Sequence, residues 1–184
     1  MNIARVFLSP STQEFNPYVN GAGNEESVMN ELTDKLIPYL QAVGISYGRN
    51  DPNGTVIDSV ALSNSGNYAL HLALHSNASP ESLAGQLRGI DVYYYAYSTA
   101  GAQIAELFAS YLRQIYPLPQ NVQTRGVTNL FELRATRAPA ILIELGYHDN
   151  IEDANWIVNN LDAIAAALAH AIADFFGVPF VQPR

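Results

Sequence analysis

The stretch from Ala138 to Asn150, Ala-Pro-Ala-Ile-Leu-Ile-Glu-Leu-Gly-Tyr-His-Asp-Asn, limits the possible folds more than any other part of the chain. Its middle is an unbroken, partly β-branched apolar run that closes in turn residues, the pattern of a strand buried on both faces. Glu144 stands near the carboxyl end of that run, where a carboxylate is costly to bury unless a cation or a hydrogen bond meets it. In open α/β sheets the ligand crevice lies beyond the carboxyl ends of the strands. An acid at that point is therefore either a functional group or a helix cap or ion-pair partner. Residues 69 to 77, Ala-Leu-His-Leu-Ala-Leu-His-Ser-Asn, form a second apolar strand that finishes in His75, Ser76 and Asn77. Two such strands can bring metal-binding or acid-base groups to one crevice.

The rest of the chain alternates in the same way. Ile3 to Leu8 predicts a first strand, followed by Ser9-Pro10-Ser11-Thr12-Gln13 and a Gly- and Asn-rich loop to Asn24. From Glu25, the residues Val28, Leu32, Leu36 and Leu40 recur near helical spacing, with Asn24 as the cap, and Pro38 is expected to kink or split that helix. Ile45 to Arg49 reads as a weak strand, Val56 to Ser65 as a short helix, and Gly89 to Tyr95 as a strand rich in tyrosine. Thr99 caps an amphipathic helix through Leu112. Pro117 to Thr128 reads as a loop and Leu130 to Ala135 as a further short strand. Asp153 to Val158 and the Ala-rich segment Leu161 to Phe176 read as helices, the latter stopped by Gly177. The alternation predicts one α/β domain over 1–184, with a mainly parallel, twisted sheet of about six strands and helices on both faces.

Charge and composition narrow the chemistry. A net charge of −8 with only nine Lys and Arg, none of them in a run, argues against nucleic acid as a partner. The absence of cysteine removes disulfides and thiolate metal sites, leaving His, Asp and Glu as strong ligands. The N-terminal residues of the given chain lack the apolar core and cleavage pattern of a signal peptide, and no stretch reaches the ~18 apolar residues of a membrane span. Nothing in the sequence fixes an oligomeric state.

Three positions stand out: Glu25 at a helix start, and His75 and Glu144 at strand ends. A histidine and a carboxylate can hold zinc with an open position for water, and a free carboxylate can take that water's proton and pass it to a leaving nitrogen. Each also has an ordinary role: Glu25 as a helix-dipole partner, His75 as a satisfied core or loop histidine. His71 lies on the same strand face as His75 and reads as packing, and His170 as structural.

Together these residues resemble the zinc-dependent N-acetylmuramoyl-L-alanine amidases of the amidase-3 type. The resemblance runs through Leu8-Ser9-Pro10, Glu25, Ser63-Asn64, His75-Ser76-Asn77, Arg88-Gly89-Ile90-Asp91-Val92-Tyr93-Tyr94, Arg125-Gly126-Val127, Leu133-Arg134 and Pro139 to Tyr147. It implies a phosphorylase/hydrolase-like fold, one Zn2+ held by Glu25 and His75, and Glu144 as the catalytic acid-base residue. It also implies peptidoglycan or muropeptide as substrate and action at the cell wall outside the cytoplasm; the lack of a long apolar stretch, separately, predicts no membrane partner. Asn77 and Arg134 are expected to bind substrate, with His148 as a further candidate. The family's first loop carries a zinc-binding histidine in Asp-Pro-Gly-His-Gly, where this chain has Ser9-Pro10-Ser11-Thr12-Gln13. Gln13, Glu14 and His148 are the candidates for the third ligand. The alternative to an enzyme is a non-catalytic relative that binds muropeptide or regulates another hydrolase.

Overall fold

The structure, a computed structural model, describes residues 4–183. Chain order is β1 (Arg5–Pro10), α1 (Glu25–Ala42), β2 (Ser46–Arg49), α2 (Val56–Ser65), β3 (Leu70–Asn77), β4 (Ile90–Tyr95), α3 (Thr99–Arg113), β5 (Val122–Val127), α4 (Phe131–Ala135), β6 (Ala140–Tyr147), α5 (Ile151–Asn159) and α6 (Leu161–Phe176). The start of the first strand expected at Ile3 lies outside the described residues. The strands form a six-stranded sheet in the order β2-β1-β3-β6-β4-β5. Every neighbouring pair is parallel except β4 with β6. The chain leaves β1 towards β2 at one edge and β3 towards β4 on the other side, so the loops after β1 and β3 diverge. That divergence opens a crevice at the carboxyl ends of the strands.

Period-two alternation sorts the strands' side chains between two unequal faces. Val6, Leu8, Leu70, Leu72, Leu74, Ile90, Val92, Ile141, Ile143 and Leu145 enter the large core, covered by α1, α3, α5 and α6. The opposite face is thinner: Ala73, Ala140 and Leu142 meet Leu133 of α4, and α4 packs beside α2. Ser9, His71, His75, Asp91 and Glu144 fall by parity on this thin face. The polar groups of five strand positions therefore share one side of the sheet.

Local chemistry accounts for the helix ends. Asn24 caps α1 by accepting from the Ser27 amide while Ser27 Oγ accepts from the Asn24 amide. Thr55 and Asp58 do the same for α2. Gly177, at φ 65°, ends α6 in the left-handed conformation. Four expectations need correction. Ser98, accepting from the Gly101 amide, caps α3 in place of Thr99, which is the helix's first residue. Helix α1 runs through Pro38 without splitting: an interior proline costs about 3 kcal/mol, whereas Leu36 and Leu40, both wholly buried, each contribute about 1.5–3 kcal/mol. Leu130 to Ala135 contains a helix, not a strand, because Leu, Glu, Arg and Ala all favour helix where no partner strand is in reach. The expected loop from Pro117 contains β5, an edge strand whose Gln123, Thr124 and Arg125 are polar because only Val122 is buried. No single helix among the described residues is long and apolar enough to cross a membrane.

Candidate active site

At the carboxyl ends of β1, β3 and β6 lies a cavity of about 560 Å³ whose lining includes Ser9, Gln13, His75, Glu132 and Glu144. Phe15, Val56 and Phe131, all exposed, give it an apolar rim. The sheet register sets three titratable residues side by side across neighbouring strands: His75 pairs with Glu144, and Glu144 with Asp91.

His75 is the centre of a row of charges. Its Nδ1 is 2.8 Å from Glu25 Oε1 and 3.4 Å from Gln13 Nε2, and its Nε2 is 3.8 Å from Glu132 Oε2. Burial alone would depress its pKa, but the contacts with Glu132 and Glu25, and the nearby charge of Glu144, hold it up at about 10. Glu25 opens α1 and is almost fully buried; Asn16 Nδ2 donates to its Oε2 at 2.7 Å. Burial pushes the Glu25 pKa up, and bonding to His75 and Asn16 more than reverses that.

Glu132 is the residue that sequence reasoning missed. Its Oε1 accepts from Ser9 Oγ at 2.5 Å and lies 2.9 Å from His71 Nε2, while His71 Nδ1 meets Ser63 Oγ at 2.9 Å. Burial opposes its ionisation, but His71 and His75 hold it well below the usual carboxylate range. A signal was present in Leu130-Phe131-Glu132-Leu133, an acid set among apolar residues, and likewise in Asp91 between Ile90 and Val92. His71 is buried, as a packing residue would be, and also joins this polar network.

Glu144 is the opposite case. Among the described residues its Oε2 is buried without a hydrogen-bond partner. Burial, followed by His75 acting in the other direction and by the charges of Glu25 and Asp91, leaves its pKa raised to about 7. It is a carboxyl group poised to exchange a proton near neutrality.

The other sequence candidates lie elsewhere. Glu14 is exposed and Arg134 lines a separate cavity with Tyr95 and Ser98. His148 is buried, its Nδ1 3.0 Å from the Ser76 carbonyl, and it stacks on Tyr18. Asn77 Oδ1 accepts from the Ala78 amide. None of these four borders the main cavity.

The donor set does not fit the zinc site that the resemblance implies. Glu25, His75 and Gln13 do converge, but a catalytic zinc takes three good protein ligands, and a neutral amide is a weak one. Among the described residues no three His, Cys, Asp or Glu side chains are grouped to hold a metal ion. Glu132, the nearest further acid, approaches the other ring nitrogen of His75.

Fold and site together describe a hydrolase of the α/β class. The chain belongs to the Amidase_3 family, described as N-acetylmuramoyl-L-alanine amidase, whose family model matches residues 14–174. No curated protein matches the sequence. Among solved structures, N-acetylmuramoyl-L-alanine amidase AmiC2 of Nostoc punctiforme is similar with a TM-score of 0.83 at 20% identity, over 96% of this chain and 98% of that one. The amidase from Clostridium difficile 630 gives 0.82 at 21% identity over 96% and 98%. The catalytic domain of the CD27L endolysin targeting Clostridia difficile gives 0.74 at 21% identity over 94% and 98%.

Proposed function

We propose that this protein hydrolyses the amide between N-acetylmuramic acid and L-alanine in peptidoglycan, acting at the cell wall. One observation carries the proposal: Glu144, half-buried in the wall of the cavity with one buried oxygen free of any partner among the described residues and a pKa of about 7, stands across the strand pair from a charged His75. Glu144 takes a proton from water as it attacks the lactyl carbonyl and returns it to the departing alanine nitrogen. The positive charge on His75 faces the negative charge that develops on the carbonyl oxygen. Glu25 and Glu132 hold the ring from either side.

Zinc enters this proposal as a variable to be measured. Glu25 and His75 are the two strong donors for it, with the Gln13 amide beside them, and no step above is routed through the ion. The test is digestion of purified cell walls with and without added zinc and with chelator, scoring release of peptides with a new N-terminal alanine. Release that is lost in Glu144→Gln supports the proposal. No release under any of the three conditions overturns it, and wall binding without release would favour the non-catalytic alternative.

A further inference from the structure

The Arg125-Gly126-Val127 stretch has no part in the chemistry above, yet it lies on the same thin face of the sheet. Arg125 Nε donates to Asp91 Oδ1 at 2.6 Å, and Tyr93 Oη donates to the other Asp91 oxygen at 3.4 Å. The Asp91 side chain is 10% exposed and that of Arg125 is 52% exposed. The pair therefore buries its negative end and shows its positive end to solvent. Both terminal nitrogens of the guanidinium are without a partner among the described residues. They form the planar fork that matches a carboxylate. Beside them is a cavity of about 220 Å³ lined also by Asn121, Gln123 and Tyr147. Its other arginine, Arg88, is already paired with Glu152 and Asp153. The volume falls below the ~300 Å³ at which pockets for larger ligands begin, and suits one amino-acid residue.

From these observations we infer that the cavity is a subsite for a free carboxylate on the peptide side of the scissile amide, anchored by Arg125 and positioned by Asp91, a proposal that rests on the amidase reading above. Strand β5 is two strands from β6, so Arg125 stands on the order of 10 Å from Glu144, the reach of two or three extended residues. In a chain of net charge −8, an anionic peptide needs a local cation to orient it, and this guanidinium supplies one.

The test uses two synthetic muramyl peptides that differ only in carrying a carboxylate or a carboxamide on the residue after alanine. The wild-type protein is expected to show about a tenfold lower KM for the acid, the range of a charge-assisted hydrogen bond. Arg125→Gln should remove that preference by raising KM for the acid alone, while KM for the carboxamide and kcat for both peptides stay as in wild type. Arg125→Lys should restore it in part. A preference that survives in Arg125→Gln, or a KM that rises equally for both peptides, overturns the subsite. Calorimetric binding of the same peptides to Glu144→Gln, with and without Arg125→Gln, reads the subsite independently of turnover. Arg125-dependent binding of the acid without hydrolysis by wild type would sink the amidase reading and keep the subsite; no binding and no hydrolysis would sink both.

Discussion

Glu132 and Glu144 border the same cavity, the first buried and the second half-buried with one buried oxygen, yet their surroundings push them in opposite directions. Glu132 comes from a short helix laid over the thin face and is met by Ser9, His71 and His75. It is a fixed anion. Glu144 comes from the sheet itself, with acids on two sides and an oxygen that nothing meets, and it is held close to neutrality. Pairs of carboxyl groups pushed apart in this way mark which one carries protons and which one holds the site together. Burial alone does not make an acid reactive; the number of donors around it decides.

The strongest way to break that contrast is to remove the proton carrier. Glu144→Gln keeps the shape and removes the base, and wall hydrolysis is expected to fall by roughly 10²–10⁴-fold while the fold is retained, as measured by peptide release and circular dichroism. Removing the anchor acts on stability instead. Glu132→Ala leaves a buried imidazole and a buried hydroxyl without their acceptor and is expected to cost about 3–5 kcal/mol in urea unfolding. Glu132→Gln, which keeps an acceptor for Ser9, should cost less. A loss below ~1 kcal/mol in Glu132→Ala would dissolve the distinction.

The two acids should also give pH dependences of opposite sign. The Glu144 pKa is raised from 4.5 to about 7. The stability it contributes is therefore present below pH 4.5 and lost as pH rises towards 7, by up to roughly 3 kcal/mol. The Glu132 pKa is lowered, so its contribution is present above pH 4.5 and lost as pH falls below that. Stability curves of Glu144→Gln should lack the decline between pH 4.5 and 7. Hydrolysis by the wild type should rise through about pH 7 as the base form appears. The smallest effect is expected at Arg134, exposed and lining a different cavity: Arg134→Ala should change stability by no more than about 0.5 kcal/mol and leave hydrolysis unchanged. A marked rise in KM there would restore the substrate-binding role expected of it.

Much of the frame was legible because strands buried on both faces advertise themselves. The runs Leu70 to His75 and Ala140 to Leu145 read as buried strands, and Asn24 and Gly177 mark helix ends by chemistry that acts within four residues. Elements that depend on distant partners were harder. The edge strand β5 looked like a loop because one neighbour suffices to pair its backbone, so its side chains are free to be polar. Helix α4 looked like a strand because it is too short to show a helical period.

By itself the sequence determined the alternation of strands and helices, the placing of His75 and Glu144 at strand ends, and the parity that sets His71 and His75 on one face of their strand. These follow from local geometry with a period of two. Only the tertiary structure decided that Glu132 reaches both histidines, that Gln13 rather than Glu14 or His148 lies beside His75, and that Arg125 leans over Asp91. Those contacts span up to 123 positions of chain. Ionisation depends on which donors and charges lie within a few ångströms, and no local pattern records that.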